Sequence, residues 1–119
     1  MKVCTTVDEN LRLQEFPKAK FIVLFYDQRK EILEKTENKY HERPKVARQC
    51  ISMKPEVVVA PHGSACYPSY AMFKRAGLRV FVEEVGKPLW EATLSREITW
   101  GEVGYSSVRA IMQRLRLVK

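Results

Sequence analysis

PEVVVAPHGSACYPSYAMFKRAGLRVFV, residues Pro55–Val82, decides how this chain folds. Val57, Val58 and Val59 form an unbroken apolar run, as in a parallel strand covered on both faces. A polar turn follows, His62-Gly63-Ser64, with Cys66 close behind. Pro68 suits the first turn of a helix, where its missing N–H costs nothing. Tyr70, Phe73 and Ala76 recur at three-residue intervals, Met72 lies four before Ala76, and together they mark the apolar face. Gly77 fits the left-handed position that ends a helix, and Leu78–Val82 reads as the next strand. Such a unit delivers the His62 turn to the carboxyl end of a sheet, where open α/β folds bind ligands.

On the N-terminal side, Lys2–Thr6 reads as a first strand ending in the turn Asp8-Glu9-Asn10. Arg12–Lys18 is expected to be a loop, broken at Pro17. Phe21–Tyr26 (FIVLFY) is β-branched and aromatic for most of its length, and Glu31–Glu37 follows a tight polar turn as an antiparallel partner. Pro44 then opens a helix whose apolar face carries Val46, Cys50 and Met53, with Ala47 and Ile51 beside them. On the C-terminal side, a third helix is expected over Pro88–Leu94. Trp100-Gly101 and Gly104 read as breaks, and Val108, Ile111, Met112, Leu115 and Val118 as the apolar stripe of a final helix. The order β-β-β-α-β-α-β-α plus a last helix implies an α/β fold, a mixed sheet with helices on both faces. Right-handed crossovers place the fourth strand beside the first, so the crevice combines Thr5, Thr6 and Asp8 with His62–Tyr67.

A chain of 119 residues is one domain with room for a sizeable core. It has no apolar run of bilayer length and no apolar segment behind its N-terminal charge, so the expectation is a soluble cytoplasmic protein without a signal peptide. Its three cysteines are odd in number and form no CxxC pair, which argues against a disulfide framework and a four-ligand zinc site. Cys4 and Cys50 are expected to be small buried hydrophobes. The net charge of +7 favours anionic partners: nucleic acid, phosphate esters or anionic metal clusters.

Several stretches resemble the dinitrogenase iron–molybdenum cofactor biosynthesis family, the NifX, NifB C-terminal and NafY-like domains. MKVCTTVD is similar to that family's opening strand and turn, and EFPKAKFIVLFYD to its Phe-Gly-Arg-Ala segment and aromatic strand. PEVVVAPHGSAC through KRAGLRVFV resembles its strand, glycine turn, helix and strand, and EVGKPLWEAT its tail. The likeness covers residues 1–103, and the basic segment 104–119 extends beyond it as a packed or appended helix. Pro17 stands where members usually carry glycine, and Cys66 about where the turn's second glycine falls. The resemblance implies a ribonuclease H-like domain with a five-stranded mixed sheet. It also implies a non-catalytic carrier of an iron–sulfur or iron–molybdenum cluster, monomer or homodimer, working with a protein partner in cluster assembly and away from membranes.

For such a role, His62 and Cys66 have the chemistry of soft-metal ligands, four apart across a glycine turn. Thr5, Thr6, Gly63 and Ser64 would line the crevice, and Lys18 would supply a cation near the anionic cargo. The plain alternative is that His62 caps the turn and Cys66 packs under the helix, with His41 an exposed loop histidine. No G-x-S-x-G elbow, phosphate-binding loop or dinucleotide fingerprint is present. A two-metal nuclease needs clustered carboxylates, and the crevice offers only Asp8 and Glu9. A different class of function is nucleic-acid binding or protein interaction by the C-terminal helix, through Arg109, Arg114, Arg116 and Lys119.

Overall fold

The valine run is the fourth strand of a five-stranded sheet. The computed structural model describes all residues, Met1–Lys119. Its strands are β1 (Lys2–Val7), β2 (Phe21–Tyr26), β3 (Glu31–Glu37), β4 (Val57–Pro61) and β5 (Arg79–Glu83). Its helices are α1 (Arg43–Ser52), α2 (Tyr67–Arg75) and α3 (Trp100–Arg114). The strand order is β3-β2-β1-β4-β5. The pairs β1–β2 and β2–β3 are antiparallel, while β1–β4 and β4–β5 are parallel. The sheet is therefore mixed, β2 and β4 are interior strands, and β4 lies beside β1 as the crossover argument requires.

Helices do not cover both faces. The crossovers β3–α1–β4 and β4–α2–β5 advance in the same direction across the sheet, so a common right hand puts both helices on one side. There Val46, Ala47, Cys50 and Phe73 pack with Ile22, Leu24, Val58 and Val80 in one core cluster. Val3, Val23, Phe25, Val57 and Val59 face the other way, covered by Leu11, Leu13 and the segment Leu89–Leu94. The expected helix Pro88–Leu94 is reduced to a single 3-10 turn, Leu89–Glu91. Its apolar residues serve as a lid on the second face: Leu89 is buried and Trp90 meets the Phe25 ring edge-on at 5.7 Å. The chain then returns along β5, with Ile98 N–H on the Val80 carbonyl at 2.9 Å and Val82 N–H on the Arg96 carbonyl at 2.8 Å. This contact covers the open edge of the sheet.

Cys4 and Cys50 are joined by a disulfide, which corrects their reading as separate hydrophobes. Cys50 sits one turn after Val46 on the apolar face of α1, above the middle strand β1, with the two Cα atoms 6.0 Å apart. Cys66 is the free thiol.

α3 also departs from expectation. It begins at Trp100, before the glycines read as breaks, because Thr99 caps it by accepting the Glu102 N–H at 3.2 Å. The boundary expected at 103/104 thus falls within a helix. Its apolar stripe faces outward: Val108, Ile111 and Leu115 are 56%, 54% and 62% exposed. Apart from Val103, the inward face is polar, carrying Glu102, Ser106, Arg109 and Gln113 at successive helical turns. No helix is long and apolar enough to cross a membrane.

Candidate functional site

The inward polar face of α3 meets the turn after β4. Gly63 there has φ +87°, and a Cβ on it would lie 2.9 Å from Glu15 Oε2 and 3.3 Å from Arg109 Cδ. Glycine is required twice over, by the left-handed backbone and by the close approach. The Gly63 N–H donates to Glu102 Oε2 at 2.8 Å, and its carbonyl accepts from Arg43 Nε at 2.9 Å. His62 Nδ1 lies 2.7 Å from Glu102 Oε1, and its ring stacks on Tyr105 at 4.4 Å. The turn is thereby fastened to α3 on one side and α1 on the other.

Beneath it lies a buried ionic cluster. Glu15 and the Arg43 side chain are each 4% exposed. Arg109 holds the Glu15 carboxylate with two prongs, Nε at 2.8 Å and Nη2 at 3.2 Å, and Gln113 Nε2 donates to it at 2.9 Å. Such charge-assisted, bidentate bonds offset the cost of removing a carboxylate from water. Burial pushes the Glu15 pKa up, but the bonds from Arg109 and Gln113 outweigh it and the net shift is downward. Gln113 Oε1 accepts from Arg43 Nη1 at 2.7 Å. Arg43 Nη2 approaches Glu15 Oε2 at 3.7 Å and has no hydrogen-bond partner.

A cavity of about 890 Å³ opens beside the cluster, between the N-termini of α1 and α2 and the last turns of α3. Lys18, Arg43, Cys66 and Arg114 are on its wall, together with Glu42. Glu42 is paired with Lys45 at 3.5 Å, so the balance of charge on the wall is positive. The thiol of Cys66 sits at the N-cap of α2, 3.3 Å from Ser69 Oγ.

The residues expected in the strand-end crevice have several fates. Thr5 and His62 do lie at the same end of the sheet, β1 and β4 being parallel and in register. The Thr5 hydroxyl is fully buried and donates to the Val59 carbonyl at 2.8 Å, and Thr6 donates to the Gln14 carbonyl at 2.6 Å. Ser64 Oγ accepts the Phe16 N–H at 3.0 Å. These hydroxyls knit the fold together. Cys66 and Lys18 share the cavity, whereas His62 is not on its wall. No three His, Cys, Asp or Glu side chains converge to hold a metal ion. His41 lines the cavity too. Of the basic C-terminal residues, Arg109 is committed to Glu15, Arg114 and Lys119 border the cavity, and Arg116 is exposed.

Glu15, Arg43, Glu102 and Gln113 were missed in the sequence. The signal for Glu102 was available: Thr99-Trp100-Gly101-Glu102 has the T-x-x-E spacing of a capping box. It would have started α3 at Trp100 and put Glu102, Ser106, Arg109 and Gln113 on one stripe. Glu15 and Arg43 carried no local signal, because their partners are distant in sequence.

No family model matches the sequence, and comparison with curated proteins gives no match. Among solved structures, the fold is similar to the NMR structure of a Thermotoga protein named for NifB and placed in the DUF35 family. The TM-score is 0.51 at 18% identity, over 94% of this chain and 87% of that one. At this identity the likeness is one of fold.

Proposed function

We propose that the chain is a non-catalytic binder and carrier of an anionic metal cluster of the iron–sulfur or iron–molybdenum type, acting in cluster assembly. The observation that carries this reading is the basic cavity whose wall includes Cys66, a buried residue that carries the one free thiol. Cys66 supplies a single sulfur ligand, while Lys18, Arg43, Arg114 and the two helix N-termini supply positive potential. One ligand plus a diffuse field suits cargo that must later be released. It does not suit a resident metal, which would need the converging ligands this chain lacks. The name of the structural neighbour supports the context of nitrogenase cofactor assembly. The strand order with an antiparallel β2 supports membership of the NifX and NafY-like group and of the ribonuclease H-like folds.

Anaerobic reconstitution with iron and sulfide tests it. Wild type is expected to retain iron and visible absorption, Cys66→Ser to lose most of both, and His62→Ala to keep them, since His62 is engaged by Glu102. Equal iron in wild type and Cys66→Ser would refute the assignment. Nucleic-acid binding has less support, because Arg109 is withdrawn into the ion pair with Glu15.

A further inference from the structure

We propose that the inner wall of this cavity is a site for a tetrahedral oxyanion, in particular the phosphate group of a small organic monoester. The inference stands apart from the cluster reading and concerns the metal-free protein.

Unmet donors carry it. Arg43 is the first residue of α1 and is 5% exposed. Its Nε and Nη1 are bonded to the Gly63 carbonyl and Gln113, but Nη2 has no hydrogen-bond partner, its nearest acidic oxygen being Glu15 Oε2 at 3.7 Å. A buried guanidinium N–H left unbonded is costly, and native proteins rarely keep one without water or a ligand. Behind the wall, the start of α2 holds another unmet donor. The Tyr67 N–H is taken by Ser107 Oγ at 3.0 Å and Pro68 has none, but the N–H of Ser69, a fully buried residue, meets no acceptor in the chain. The first turns of α1 and α2 both border the cavity, through Arg43 and Pro44 on one and Tyr67 and Pro68 on the other, and their positive helix ends suit an anion.

The charge count agrees. Lys18, Arg43 and Arg109 all gather on the Glu15 carboxylate, at 3.5, 3.7 and 2.8 Å. Arg109 is spent on Glu15, so Lys18, Arg43 and Arg114 on the cavity wall face only Glu42 among its acidic side chains, and the wall is left cationic. Burial, the largest influence, pulls the Arg43 pKa below its usual value, and Glu15 offsets this only in part. The donors nearby already collect an oxygen of the chain itself: the Lys119 main-chain oxygen accepts from Arg109 Nη2 at 2.7 Å and Gln113 Nε2 at 3.2 Å. Arg43 Nη2 is screened from solvent, so entry of the anion requires a small outward shift of the wall. A cavity of about 890 Å³ exceeds the needs of a bare phosphate and has room for an organic body.

The test titrates the metal-free, full-length protein with inorganic phosphate and with phenyl phosphate, reading ³¹P line broadening and backbone amide shifts. Saturable binding with the largest shifts at Arg43 and at Cys66 and Tyr67, all on the cavity wall, is expected. Phenyl phosphate binding more tightly supports an organic monoester; equal affinities restrict the site to the free oxyanion and overturn the monoester assignment. Arg43→Met should weaken binding about tenfold or more, the loss of a charged hydrogen bond. Should that variant fail to fold, Lys18→Gln, a 40% exposed side chain, is read instead and should weaken binding several-fold. Absence of saturation, shifts spread over the exposed lysines, or undiminished affinity in the folded Arg43→Met or in Lys18→Gln would each overturn the site.

Discussion

Gly63→Ala is expected to be among the most damaging single methyl additions to this protein, and Gly77→Ala is its internal control. Both glycines have positive φ, +87° and +75°. An alanine in that region costs about 1–2 kcal/mol at either position. At Gly77 the new Cβ meets nothing within 4 Å, so the backbone term is the whole effect. At Gly63 the methyl would lie 2.9 Å from Glu15 Oε2, an oxygen that itself sits 2.8 Å from Arg109 Nε. The carboxylate must move, and it is buried on all sides. Loss of one charge-assisted bond adds about 1.5–3 kcal/mol. The expected total is about 2.5–5 kcal/mol at Gly63 against about 1–2 at Gly77. At roughly 4 °C per kcal/mol for a domain of this size, the two melting temperatures should separate by about 8 °C. Urea and thermal unfolding followed by circular dichroism measure both. Losses equal to within about 0.5 kcal/mol would show that Glu15 does not press on the turn, and the description of the buried cluster would fail.

Unfolded, unreduced protein should present one titratable thiol, since Cys4 and Cys50 are paired. Reduction should lower the melting temperature by about 10 °C or more, because a link between residues 46 apart removes about 4 kcal/mol of chain entropy from the unfolded state. Three thiols would refute the pairing. Glu15 and Glu83 both have pKa values held below 4.5: burial opposes this, but Arg109 and Gln113 at Glu15, and the Thr93 and Glu84 amides at Glu83, prevail. Their stabilisation is present above the unfolded pKa and is lost as pH falls through the lower folded values. Urea midpoints should therefore hold steady above about pH 5 and decline below it. The decline should be shallower in Glu15→Gln, and an identical slope would contradict the role of Glu15.

What was legible in the sequence was what short-range pattern records. The unbroken Val57–Val59 run, the aromatic Phe21–Tyr26 run and the Pro68–Gly77 helix bounds were found where expected. Connection rules then supplied the β1–β4 pairing. Pattern misled where the environment was decided by something non-local. Leu89 and Trp90 have apolar character that suits a helix, yet they act as a lid over Phe25 and need only a 3-10 turn. The Val108, Ile111, Leu115 stripe is a good core face by spacing alone, but α3 turns it outward. Cys4 and Cys50 could be paired only after α1 was seen to lie over β1. Within the candidate site, Cys66 and Lys18 share a cavity as their types suggested. Thr5, Thr6 and Ser64 do not line that cavity, and their hydroxyls are taken by main-chain carbonyls and an amide near the strand end.

The orientation of α3 ties the fold to the site. Given an apolar stripe and a polar one, a helix ordinarily buries the first. Here it buries Glu102, Arg109 and Gln113 against Glu15, Arg43 and the Gly63 turn. Replacing buried ion pairs with well-packed hydrophobes is often neutral or stabilising, so stability alone gives little reason for this choice. A role in binding gives one. Arg109 and Gln113 neutralise and orient Glu15, which frees Arg43 from a tight pairing and leaves its Nη2 without a bond. The polar face of α3 thus engages Glu15 beside the cavity, whose charge comes from Lys18, Arg43 and Arg114, and that cavity is where both the cluster reading and the oxyanion site converge.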